Sequence, residues 1–236
     1  MTNSRHQKQV EYFRKNGMPF AWKLELLDSE YITEPYTRND RPNPEMIAYY
    51  IKNKWSEYQF EENTLNLIFD KFDNPNDLQC IFARLLALNS IYSTKLDTKK
   101  MFLLSDVIID HTKGLNLSNF IPNLIDDIRT VFKKTYNYDP YSFVTKYFSH
   151  INEDSYPIYD SYVKTMLLWY RYKFPEFNFE ISDLEDYDRF KTIVKNFIHV
   201  FELNCSLRQA DKFLWAAGKE FLPQYVYEDL IEKYKP

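Results

Sequence analysis

The chain reads as an all-α protein of about nine helices. Three observations carry that expectation. Apolar residues recur at spacings of three and four along most of the chain. Helix-start signals stand before these stretches, as in Asn43-Pro44, Asp139-Pro140, Asp160 and Ser206. No pair of alternating, strand-like runs is joined by a turn dipeptide.

Residues 1–43 are polar, proline-bearing and irregular, ending in "EPYTRNDRPNP". They form an irregular segment or an extra lobe ahead of a helical domain over 44–236. Asn43 caps the first helix, "PEMIAYYIKNKWSEY", with Pro44 at its first position. "EENTLNLIFDKF" is the second helix. The third, from about Asp77 to Ser90, is apolar all round and is expected to be central. "DTKKMFLLSDVIIDHTKG" follows, with Gly114 as its stop. "LSNFIPNLIDDIRTVFKKTY" is next, with a break expected near Pro122. A short helix starts at Asp139-Pro140, and another at Asp160. "SDLEDYDRFKTIVKNFIHVFEL" and "SLRQADKFLWAAGK" complete the set, Ser206 capping the last. There is no internal repeat.

Composition removes several function classes. The 3 glycines, Gly17, Gly114 and Gly218, are far apart, so no glycine-rich phosphate loop exists. His6, His111, His150 and His199 show no metal-ligand spacing. Asp110 and His111 are helix neighbours and point about 100° apart. No serine has flanking glycines for a nucleophile elbow. Neither a metal nor an organic cofactor is expected. Net charge is −4, so any nucleic-acid footprint must be local. Two separated cysteines, Cys80 and Cys205, suit a reducing compartment. The N-terminus lacks an apolar signal core, and no apolar run approaches the roughly 18 residues of a membrane span. The expectation is a cytoplasmic protein with no membrane partner. The aromatic share, 18%, implies a large ring-rich core or a cleft walled by rings.

The densest stretch is "YSFVTKYFSHINEDSYPIYDSYV", Tyr141 to Val163. Lys146 lies inside an aromatic run, with Phe143, Tyr147 and Phe148 near one helix face. An amine beside rings is partly desolvated, which favours its neutral, nucleophilic form. Asp160 stands at a helix start, where unpaired N–H groups hold a carboxylate. A fixed carboxylate can stabilise developing positive charge. The plainer alternative is a solvated lysine and an ordinary cap. A second cluster, Asn89, Ser90, Tyr92, Ser93 and Thr94, ends the third helix. It either faces a pocket or caps and turns the chain. In "SLRQADKFLWAAGK", Leu207, Ala210, Phe213 and Leu214 make a core stripe. Arg208, Asp211 and Lys212 are expected to face out or pair locally.

"SFVTKYFSHINEDSYPIYDS" resembles a segment of bacterial 8-oxoguanine-glycosylase-like proteins, a divergent branch of the helix-hairpin-helix DNA glycosylases. The likeness rests on Ser142, Phe143, Lys146, Tyr147, His150, Tyr156, Pro157, Ile158, Tyr159, Asp160 and Ser161. "ARLLALNSIYST" and "DKFLWAAGK" are similar to an earlier and a closing helix of that family. Where other members carry a hairpin glycine pair, this chain has "NYDPYSF".

The resemblance implies a two-lobed helical fold with its site in the cleft between lobes. It implies a DNA partner, double-stranded with one base flipped into the pocket. Asp160 would assist cleavage of the N-glycosidic bond, and Lys146 would either attack the sugar as a Schiff-base nucleophile or serve as a phosphate and sugar contact. Asn89, Tyr92, Ser142, His150 and Tyr159 are the expected substrate contacts. Arg129, Lys133 and Lys134 are the expected phosphate contacts. The alternative function class is a non-catalytic helical module that binds nucleic acid or protein, including a role in phage defence.

Overall fold

Most helices begin where the sequence supplies a side-chain oxygen. A computed structural model describes residues 36, 40–94 and 96–221. In it α1 spans Pro44–Asn53, α2 Gln59–Lys71, α3 Leu78–Ile91, α4 Thr98–Thr112 and α5 Leu124–Tyr136. Then come α6 Tyr141–Ile151, α7 Ser161–Lys173, α8 Tyr187–Val200 and α9 Leu207–Phe221. Short 3-10 turns occupy Trp55–Tyr58 and Ile181–Glu185. The described residues contain no strand, and the fold is all-helical. Of the segment expected to be irregular, residues 1–35 and 37–39 lie outside the described residues.

The caps at Asn43, Asp160 and Ser206 are the expected ones, and Asp77 and Asp97 are further caps. Asn43 Oδ1 accepts from Met46 N at 2.8 Å, with Pro44 opening α1. Asp77, Asp97 and Asp160 each accept a backbone N–H of the first turn at 2.8 Å. Ser206 and Gln209 form a reciprocal pair, Ser206 Oγ accepting from Gln209 N and Gln209 Oε1 from Ser206 N. Such caps contribute about 1 kcal/mol each. Gly114, at φ +78, lies just past the end of α4 and turns the chain, as expected.

Some boundaries differ. The first helix stops at Asn53 and tightens into the 3-10 turn. The stretch 117–136 becomes helical only at Leu124, because Asn123 takes the left-handed conformation at φ 62. The 182–203 stretch is divided by Asp186, which is extended and caps α8.

The central helix is α6 rather than α3. Eight of its eleven residues are buried, and it packs on α2, α3 and α5. By contrast α3 leaves Leu86 39% exposed while burying Arg84. Both helices pack on three others, but α3 buries only four of its fourteen residues, so one of its sides stays open to solvent. Much of the aromatic surplus is core: Tyr170, Phe197 and Phe213 stack with centroids 5.3–6.4 Å apart. Gly218 permits the close approach of α9 to α7. A Cβ there would lie 2.9 Å from Tyr162 Cβ and 3.0 Å from Tyr162 O.

Candidate functional site

Lys146 sits in the middle of α6, and Asp160 caps α7 across the loop that joins the two helices. That loop is pinned at several points. Thr145 Oγ1 accepts from Tyr159 N at 3.1 Å. The Tyr187 hydroxyl donates to Pro157 O at 2.9 Å, and the Tyr156 hydroxyl to Asn119 O at 3.2 Å. The "YPIYD" segment is therefore held against α6, and Asp160 lands beside Lys146. Lys146 Nζ donates to Asp160 Oδ2 at 3.2 Å and to Ser142 Oγ at 2.6 Å. The other carboxylate oxygen, Oδ1, holds the cap to Tyr162 N. The two side chains are only 6% and 14% exposed. Of the two expectations, a solvated lysine and one partnered by Asp160, the second describes the geometry: the amine has two oxygen partners in a buried ion pair.

Lys146 and Asp160 line a cavity of about 320 Å³, within the size range of small-ligand sites. Its walls carry the rings of Trp55, Tyr58, Tyr92, Tyr162 and Trp215. Tyr58 and Trp55 meet Trp215 edge-on, with centroids 4.9 and 5.4 Å apart. The Tyr92 ring lies 5.2 Å from Lys146 Nζ. Lys219 ties to the Tyr58 hydroxyl and lies 4.9 Å from the Trp215 ring. Glu61 also lines the cavity, and its Oε2 is buried without a hydrogen-bond partner.

A charged network lies against this cavity, and its participants were not expected to be inside. Arg208 Nη2 donates to Glu62 Oε1 at 3.0 Å and Nη1 to Asp211 Oδ2 at 2.8 Å. Lys212 Nζ lies 2.7 Å from Glu62 Oε1, and Trp55 Nε1 donates to Glu62 Oε2 at 2.6 Å. Arg208 and Asp211 do pair locally, but they are buried at 4% and 3% exposure rather than facing out. The missing information was Glu62, brought by α2 from far away in sequence. Burial alone would raise the Glu62 carboxyl, but Arg208, Lys212 and Trp55 outweigh it and hold it at about 2. Burial dominates at Asp211 and pushes it up to about 6 against the pull of Arg208. Its Oδ1 is buried with no partner.

Tyr92 leads from the cavity wall into a second polar chain. Its hydroxyl donates to His150 Nε2 at 3.2 Å, and His150 Nδ1 donates to Asn66 Oδ1 at 3.2 Å. These directions hold for a neutral ring with its one proton on Nδ1. Burial, helped by the nearby Arg208 charge, lowers the imidazole to about 3 and keeps it neutral.

The remaining expected site residues lie elsewhere. Asn89 closes the α3–α4 connection: it accepts from Thr94 Oγ1 at 2.6 Å and Leu96 N at 2.9 Å, and donates to Leu96 O at 3.0 Å. Of the two readings of that cluster, the turn role describes Asn89, while Tyr92 faces the cavity. Tyr159 stacks on Tyr141 at 3.9 Å and donates to Glu185 at 3.3 Å, outside the cavity wall. Arg129 is 8% exposed. It is held by Asp139 at 3.0 and 3.1 Å, by Asp126 at 2.5 Å and by Glu185 O at 2.8 Å. Its donors are committed inside the protein, so it is not free to grip a phosphate. Lys133 and Lys134 are exposed at the end of α5. Among the described residues no cluster of three acidic, histidine or cysteine side chains could hold a metal ion. None of the described helices is long and apolar enough to cross a membrane.

Residues 45–155 match the family model HI_0787_N, N-terminal domain. An uncharacterized protein of Haemophilus influenzae is 41% identical over 85 residues, which is 36% of this chain. The chain thus spans 39% of that relative's length. No solved structure matches. The matched span holds Glu62, Tyr92 and Lys146 and ends before Asp160.

Proposed function

We propose that the chain is a DNA glycosylase-like enzyme of the helix-hairpin-helix kind, which removes a damaged or modified base flipped out of duplex DNA. The observation that carries this reading is the Lys146–Asp160 pair, 3.2 Å apart, on the wall of a ring-lined cavity. Extrusion needs a water-poor pocket with faces on which a base can stack, and Trp55, Tyr58, Tyr92, Tyr162 and Trp215 offer such faces. Glu61 Oε2 is a vacant acceptor for an amino or imino N–H of a base edge.

The chemistry follows from the pair. Asp160 takes a proton from the Lys146 ammonium through the existing hydrogen bond. The freed amine attacks C1′, and the glycosidic C–N bond breaks with its electron pair leaving on the base nitrogen. Asp160 returns the proton to that nitrogen. The C1′–O4′ bond then breaks, its electron pair leaves on O4′, which takes a proton from the attached amine, and a protonated imine joins Lys146 to C1′. Once the base nitrogen has taken the proton, the Asp160 carboxylate again faces the cationic centre at C1′ and the attached amine and lowers its energy.

The test is base release from duplexes carrying single modified bases. Release by the wild type, lost in a folded Asp160→Asn variant, supports the reading. Equal release by that variant overturns it. A second reading has its own observation. The Lys146 amine already has two oxygen partners, the arrangement of a structural ion pair in a non-catalytic nucleic-acid- or protein-binding module. That reading expects DNA or partner binding without turnover, unchanged in Asp160→Asn.

A further inference from the structure

His150, which the Tyr92 hydroxyl ties to the ring-walled cavity, also lines a second cavity of about 450 Å³. Arg84 of α3 lines it too. This arginine is 5% exposed. Its Nη2 donates to Phe69 O at 2.7 Å, and its guanidinium lies 4.9 Å from the Phe69 ring. Its Nε is buried with no hydrogen-bond partner. Arg129 and Arg208, the other buried arginines, each have two or more carboxylates in contact. Among the described residues Arg84 has no carboxylate in ion-pair contact: the Phe69 carbonyl and the Tyr147 hydroxyl are its polar partners, and a buried cation without a counter-charge is costly unless an anion reaches it.

The opposite charge is at the rim. Asp70 and Asp73 line the same cavity and are exposed. Asn116 and Ser118 add polar groups to the wall. A positive group inside and two negative groups outside suit a ligand with the reverse arrangement. The rim carboxylates also repel a polyanion, which argues against a nucleic-acid backbone here.

We propose that this cavity binds a small zwitterion of the amino-acid class, its carboxylate on Arg84 and its ammonium toward Asp70 and Asp73. The inference stands apart from the base-excision reading and uses a different cavity.

Isothermal titration of the full chain with each free amino acid tests it, with inorganic phosphate and the matching carboxamides as comparison ligands. The expected result is saturable binding of an amino acid, with phosphate and carboxamides bound ~10-fold more weakly or not at all, as loss of one charge-assisted contact implies. Arg84→Gln weakens binding by a similar factor. Asp73→Lys, an exposed change that leaves the fold intact, abolishes it even if Arg84→Gln fails to fold. Lys146→Gln leaves it unchanged. No binding by any amino acid, equal binding of phosphate, or binding indifferent to Asp73→Lys overturns the proposal.

Discussion

The Lys146 amine and the Asp160 carboxylate stand 3.2 Å apart although fourteen residues separate them in the chain. Their contact depends on a loop held down by the Thr145, Tyr156 and Tyr187 hydroxyls. The two partners are not equivalent, and stability measurements should expose this. Asp160→Asn keeps a good helix cap but leaves the buried Lys146 ammonium without its counter-charge, at a cost of about 3 kcal/mol. Lys146→Met leaves Asp160 with its Tyr162 N–H and partial solvent contact, at a cost of about 1 kcal/mol. Urea unfolding should rank the variants in that order, and the double variant should recover part of the loss.

The Glu62–Arg208–Asp211 network joins α2 to α9. Arg208→Met strands two buried carboxylates and should destabilise the fold by about 3–5 kcal/mol. Asp211→Asn, at the carboxyl whose Oδ1 has no partner, should cost far less. Thermal unfolding of the two variants checks the contrast.

Acid sensitivity should come partly from His150. Its folded value is about 3 against an ordinary 6.5, so the unfolded chain binds the proton first as pH falls. Its contribution is complete above 6.5 and lost progressively down to 3, by up to ~1.4 kcal/mol per pH unit. Glu62 acts in the same direction between 4.5 and about 2. Asp211, raised from 3.8 to about 6, acts oppositely within that window. The stability of the wild type relative to His150→Gln should therefore rise between pH 3 and 6.5. A flat difference would mean that the imidazole is not held neutral.

Gly218→Ala improves helix propensity by about 1 kcal/mol yet drives a methyl group to 2.9 Å from Tyr162 Cβ and 3.1 Å from Met166 Cγ. The overpacking cost, about 1–3 kcal/mol, should win. A lowered melting temperature would show that α9 and α7 meet as tightly as described.

The helix starts were legible because caps are local chemistry: Asn43, Asp77, Asp160 and Ser206 announce themselves within four residues. The Lys146–Asp160 pairing was legible only as one of two alternatives, because the contact is made by the loop that the Thr145, Tyr156 and Tyr187 hydroxyls fold back on α6. The buried Arg208 and Asp211 were not. A stripe of apolar residues on α9 makes every charge off the stripe look solvated, and only the arrival of Glu62 from α2 makes burial affordable. Asn123 and Asn137, both left-handed, carried no glycine to mark the turns at the ends of α5. Arg129 looked like a phosphate ligand because Asp139, beyond the end of α5, folds back on it and joins Asp126, one turn away on the same helix.

The central claim is that Lys146 is a nucleophile served by Asp160 inside the ring-walled cavity. Borohydride trapping on duplex DNA with an abasic or modified site tests it most directly. A covalent protein–DNA adduct that maps to Lys146 and is absent in a folded Lys146→Gln variant is the predicted result. No adduct across the substrates that the protein binds, or an adduct that persists in Lys146→Gln, would contradict it.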